Sequence, residues 1–127
     1  MKQITQEWID KAEGDYQAGC DLQAVARPVY DAICFHAQQC VEKYLKAWLS
    51  EQSVTFPKTH DLEALAKLCL PTLDKLSSQL SALRLLTSFA VEVRYPGMSA
   101  TQADAERCWQ AALDTRRVVR ASLGSAE

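Results

Sequence analysis

Long apolar runs are missing from this chain. Nothing approaches the roughly 18 consecutive apolar residues of a membrane span, and the opening MKQITQEWID has no apolar stretch that could serve as a signal peptide. No tract alternates apolar and polar residues for long enough to make a strand, and there is no internal repeat, low-complexity tract or interdomain linker. The five cysteines (Cys20, Cys34, Cys40, Cys69, Cys108) are odd in number and contain no CxxC pair. They read as small buried hydrophobes in a reducing compartment. P-loop, GxGxxG, HExxH and GxSxG patterns are all absent. Neither sign of charge dominates: the net charge is −2 and the pI about 5.7. That balance removes any bulk drive toward nucleic acid or membrane, so nucleic-acid binding would need a local patch. A cytoplasmic location without membrane contact is expected.

What is present is helical pattern. The 127 residues are 48% hydrophobic and 24% charged, which predicts one domain, 1–127, able to bury roughly two-thirds of its unfolded surface. The stretch from Cys34 to Ser50, CFHAQQCVEKYLKAWLS, has no Gly or Pro. Ala37, Val41, Tyr44 and Trp48 recur at helical steps, with Ile33, Leu45 and Leu49 widening the row. A second row of the same helix, His36, Gln39, Lys43 and Lys46, is entirely polar. Glu42 precedes Lys46 by four residues, the favourable order for an exposed ion pair worth a few tenths of a kcal/mol.

The other elements follow from punctuation. A first helix is predicted from about Thr5, as N-cap, to Ala26, with Trp8, Ala12 and Tyr16 on one face and Glu7 in the first turn. Gly14 and Gly19 either weaken it or mark a close helix–helix approach. Arg27-Pro28 breaks the run, and the second helix is predicted from Pro28 to Ser50. Glu51–Thr59 reads as a loop. A short helix of about ten residues follows, capped by Thr59 or Asp61 and ended by Pro71. A fourth is predicted from Leu73 or Ser77 to Val93, stopped by Pro96-Gly97. A fifth runs from Thr101 to Leu123, with Thr101 and Asp104 in a capping arrangement and Arg116, Arg117 and Arg120 near its C-terminal end. The expected fold is all-α: an antiparallel up-down four-helix bundle with one additional short helix.

Candidate chemistry is sparse. His36 lies two residues from Cys34 and four from Cys40, but a metal would need two more ligands for which no spacing exists, so no metal and no cofactor is expected. His60 reads either as a ring packed across a helix end or, with Lys58 and Thr59, as part of an anion or nucleotide site at a helix N-terminus. Arg94-Tyr95-Pro96 reads either as a helix stop or as a phosphate contact beside a stacking face. Lys43 and Lys46 read either as a solvated face or as further phosphate contacts.

Taken together, Trp8, Ala12 and Asp15 in the first helix, Gln38-Gln39-Cys40-Val41-Glu42-Lys43-Tyr44-Leu45-Lys46-Ala47, Lys58-Thr59-His60-Asp61-Leu62 and Arg94-Tyr95-Pro96 resemble the HEPN domain family (higher eukaryotes and prokaryotes nucleotide-binding). The resemblance covers nearly the whole chain. It implies a compact helical bundle that dimerises through its long helices, often paired with a small nucleotidyltransferase encoded alongside in toxin–antitoxin-like systems. Many members are metal-independent ribonucleases whose site is an Arg followed, four to six residues on, by a His. Here His36 is nine residues after Arg27, no arginine precedes His60 at that distance, and no histidine follows Arg94.

The catalytic motif is therefore absent, and no catalytic residue is assigned. The expectation is a dimeric, non-nucleolytic module that binds a nucleotide, its phosphates or a partner protein. Lys43, Lys46, Lys58, His60 and Arg94 would contact phosphate, and Tyr95 would stack on a base. The alternatives are a metal-independent ribonuclease with a non-standard His60/Arg94 site acting on RNA, and a bare dimerisation scaffold.

Overall fold

The computed structural model describes residues 1–124 and, among those, contains helices and no strand. The elements are α1 (Gln3–Ala24), α2 (Tyr30–Glu51), α3 (Leu62–Cys69), a 3-10 segment (Asp74–Gln79) leading into α4 (Leu80–Glu92), and α5 (Gln102–Ser122). This is the expected bundle of long helices with one short one. The expected domain 1–127 ends with residues 125–127, which lie outside the described residues. No described helix is long and apolar enough to cross a membrane.

Helix α2 is the hub, packing against α1, α3, α4 and α5. Its apolar row explains this. Ile33, Ala37, Val41, Tyr44, Leu45 and Leu49 are all buried in the core, facing Ile9 and Ala12 of α1, Leu62 and Leu65 of α3, Leu83 of α4 and Ala112 and Val119 of α5. Each large aliphatic side chain taken out of water there stabilises the fold by about 1.5–3 kcal/mol. Trp48 is buried too, because its indole N–H finds the Thr72 hydroxyl at 2.9 Å.

Several boundaries differ from the predicted ones. Helix α1 starts at Gln3, and Thr5 is not its cap: Thr5 is buried, and its hydroxyl donates to Glu51 Oε1 at 2.9 Å. Glu51 also accepts the Lys2 backbone N–H at 3.0 Å. The last residue of α2 thus supplies the carboxylate that the start of α1 favours. Helix α2 begins at Tyr30 rather than Pro28, after an extended Val29. Asp61, not Thr59, caps α3, accepting from the Ala64 N–H at 3.2 Å. The fourth helical run opens as a 3-10 segment before turning α-helical at Leu80. The Thr101/Asp104 capping box at α5 is complete in both directions.

The two helical glycines have different causes. A Cβ on Gly19 would come within 2.1 Å of the Trp109 ring, which is itself stacked on Tyr16 at 5.8 Å, so α1 and α5 meet there only because the side chain is absent. A Cβ on Gly14 would meet nothing within 4 Å. Gly19→Ala is therefore expected to cost about 1–3 kcal/mol through overpacking, and Gly14→Ala to add up to about 1 kcal/mol through helix propensity. Thermal denaturation followed by circular dichroism checks both, and equal shifts in one direction would contradict the close approach.

Candidate functional site

The polar row of α2 is not a solvated face. Glu42 and Lys46 are both buried, and Lys46 Nζ donates to Glu42 Oε2 at 3.0 Å. Glu42 Oε1 accepts from Gln38 Nε2 at 3.2 Å and from His60 Nδ1 at 2.8 Å. Gln38 also donates to the His60 backbone carbonyl at 3.2 Å. The Lys46 ammonium lies 5.5 Å from the Trp8 ring and 5.9 Å from the Phe56 ring, close enough for the ring faces to favour its charge. Burial alone would raise the Glu42 carboxyl; hydrogen bonds from His60, Lys46 and Gln38 outweigh it and hold the group below its ordinary 4.5.

Two further carboxylates neutralise the neighbouring rows. Asp15 of α1, itself buried, accepts from Lys43 Nζ at 2.6 Å and from His36 Nδ1 at 2.9 Å. Glu13, two residues earlier, receives a bidentate pair from Arg116 at 2.8 Å for each bond and the Tyr44 hydroxyl at 2.5 Å. Arg120 donates to the Tyr44 oxygen at 3.2 Å. The Arg116 hydrogen bond chiefly holds the Glu13 carboxyl below its ordinary value, against the raising effect of burial. Arg116 and Arg120 thus turn inward and lock α5 to α1 and α2; the helix-end position expected for them is not what fixes them.

The expected phosphate contacts consequently divide. Lys46 is buried and paired, and Lys43 is tied to Asp15, so neither offers an unpaired charge to solvent. The reason is that α2 is covered on most sides. Lys58, His60, Arg94 and Tyr95 are exposed. His60 keeps 76% of its side chain in solvent although Nδ1 is held, so Nε2 is the free edge of the ring. Arg94 places its guanidinium 5.9 Å from the Phe35 ring. Phe35, Gln38 and Glu42 stand at i, i+3 and i+7 on α2 and share a face. His60 and Arg94 therefore border one strip of that helix, anchored at points within about 10 Å along its axis.

Such a strip can receive an anion at its cationic groups and an apolar plate at Phe35 or Tyr95. Gln38 and Glu42 organise it; the sequence offered Gln38 only as a landmark and Glu42 as half of an exposed ion pair with Lys46, a pair that is buried here. The i, i+4 spacing of Gln38 and Glu42 was their available signal. His36, Cys34 and Cys40 do not assemble a metal site, because His36 faces Asp15 while both thiols are buried. No group of three or more potential metal ligands occurs among the described residues.

An all-helical bundle of this connectivity, with the His60 segment seated on its second helix, defines a class of domain. The HEPN domain model matches residues 5–121, and the chain belongs to that family. The crystal structure of ST0689, an archaeal HEPN homologue, superposes with a TM-score of 0.73 at 25% identity, covering 96% of this chain and 98% of that one. No curated protein matches the chain.

Glu42→Ala leaves the Lys46 ammonium buried without a counter-charge and is expected to cost about 3 kcal/mol at neutral pH, while Glu42→Leu with Lys46→Met recovers most of that. Because the folded Glu42 carboxyl sits below 4.5, its contribution is complete above that pH and is lost as pH falls through the folded value. The stability gap between wild type and Glu42→Ala should narrow below pH 4.5 in urea melts. A gap independent of pH would show that the carboxylate charge is not what holds the network.

Proposed function

We propose that this chain is a non-catalytic, homodimeric HEPN module that binds a nucleotide through its phosphates and works with a small nucleotidyltransferase partner in a toxin–antitoxin-like system. The observation that supports nucleotide binding is the strip on α2 that His60 borders through Glu42 and Arg94 borders through Phe35. His60 is aimed by Glu42, Arg94 lies against Phe35, and Lys58 and Tyr95 are exposed nearby in sequence. Arginine forks a phosphate bidentately, imidazolium and ammonium add charge, and an exposed aromatic ring gives a base a face on which to stack. Lys43 and Lys46 support the site from within, by fixing Asp15 and Glu42, and do not touch the ligand.

A ligand that binds only the folded chain must raise its melting temperature, by the equivalent of about 2.7 kcal/mol at a hundredfold excess over Kd. ATP and GTP are expected to raise it in wild type, with the shift lost in Arg94→Ala and His60→Ala. No shift at millimolar concentration of either nucleotide would remove the nucleotide part of the reading and leave partner binding.

One observation favours a second reading. A carboxylate on Nδ1 with Nε2 free is the arrangement that lets a histidine move protons, and Arg94 could stabilise charge on a phosphate under attack. RNA cleavage by wild type that disappears in His60→Ala would establish a ribonuclease. Equal cleavage in the two proteins, or none in either, removes it.

A further inference from the structure

Between α4 and α5 lies an open cavity of about 380 Å³ that shares no lining residue with the strip on α2. Helix α4 brings only apolar side chains to it: Ala82, Leu85, Leu86 and Phe89, at i, i+3, i+4 and i+7. Leu85 is 70% exposed, more than any other large apolar side chain among the described residues. A single exposed leucine is ordinary, but one that continues into an apolar groove marks a surface suited to being covered. Helix α5 supplies Ala111 to the wall and charged groups to the lining. Along this flank the charges alternate in sign: Asp104, Arg107, Asp114 and, beyond the groove, Arg117. Arg107 and Asp114 are seven residues apart, about two helical turns, which keeps them on one side of α5. Arg107 reaches Asp104 at 2.5 Å yet keeps 75% of its side chain in solvent, so that pair is weak and the guanidinium can be shared.

We propose that this groove is the face on which two copies of the chain pair, their α5 helices antiparallel about a two-fold axis between Gln110 and Ala111. The occupant follows from the order of the charges. Arg107 and Asp114 stand equally far from that midpoint, and so do Asp104 and Arg117. In a two-fold pair each residue meets its counterpart at the same height on the other copy, and every contact is made twice. Turning α5 end for end therefore sets Arg107 of each copy against Asp114 of the other, and Asp104 against Arg117. A parallel pairing would set like charges together, so the pattern also fixes the direction. Ala111, beside the axis, is small enough for the two helices to approach, and their approach covers Leu85 and Phe89 of each copy. The four charges cancel, which gives this face no net charge to draw a nucleic acid or an anionic membrane. The inference gives a location to the homodimer proposed above and rests on that reading.

The test is light scattering on the purified full chain over a range of concentrations, with circular dichroism to confirm that each variant folds. Wild type should show twice the 14.2 kDa chain mass. Leu85→Glu, Arg107→Asp and Asp114→Arg should each weaken the dimer at least about tenfold, the last two by setting like charges together. Mixing Arg107→Asp with Asp114→Arg should restore a dimer containing one of each, because both pairs across the axis are then opposite in sign. Leu85 lies outside the core, so Leu85→Glu decides the matter even if a charge reversal disturbs α5. A wild-type monomer at every concentration would overturn this proposal together with the homodimeric part of the reading above, whose nucleotide part the melting shifts test separately. A dimer indifferent to all three substitutions would overturn this face alone and leave the homodimer standing. Weakening by the single variants without recovery on mixing would overturn the antiparallel pairing.

Discussion

A carboxylate with almost no access to water, Glu42, sets the terms for the rest of this structure. Helix α2 is touched by every other helix, so a polar row on it cannot simply face solvent. A buried ammonium such as Lys46 is tolerable only beside an opposite charge, and a buried carboxylate only when its lone pairs are filled. Glu42 meets both conditions at once, accepting from Lys46, Gln38 and His60. In doing so it ties three parts of the chain together. Lys46 reaches the Trp8 ring of α1 and the Phe56 ring of the connection after α2, and His60 pins the end of that connection onto α2. The segment leading into α3 has no helix of its own, and this network gives it a fixed place.

The same logic explains which cations remain available for function. Asp15 and Glu13 neutralise Lys43, Arg116 and, in part, Arg120, in positions where helices close over them. The groups left at the surface of the candidate site lie on the connections and helix ends around α2: Lys58, His60, Arg94 and Tyr95. The scaffold is internally paired, and the candidate ligand-facing groups sit at its margins. That division is usual for binding sites, where regular elements position and connecting segments contact.

Much of this was legible in the sequence and some was not, for identifiable reasons. The apolar row of α2 and the Thr101/Asp104 capping box depend on spacing within one helix, and both are found as the pattern implies. Thr5 resembled a cap but was drawn into the interior by Glu51, a partner 46 residues away. The row His36, Gln39, Lys43 and Lys46 resembled a solvated face because periodicity reports that residues share a side and not what covers it. The covering groups, Asp15 and His60, come from outside α2 by 28 residues from Lys43 and 18 from Glu42. The 3-10 opening of the fourth run leaves no clear trace in a pattern of leucines at three- and four-residue steps.

The lock between Glu13 and Arg116 joins positions 103 residues apart, and this has a bearing on how the chain is made. Helices α1 and α2 leave the ribosome first, while α5, which covers Ala37, Val41 and Tyr44, is synthesised last. At roughly 5–20 residues per second, α2 waits about 4–14 s for its final neighbour. Through that interval the nascent chain carries an open apolar flank edged by a Glu13 that still lacks its arginine counter-charge. The arrival of Arg116 on α5 supplies that counter-charge as the helix covers the flank.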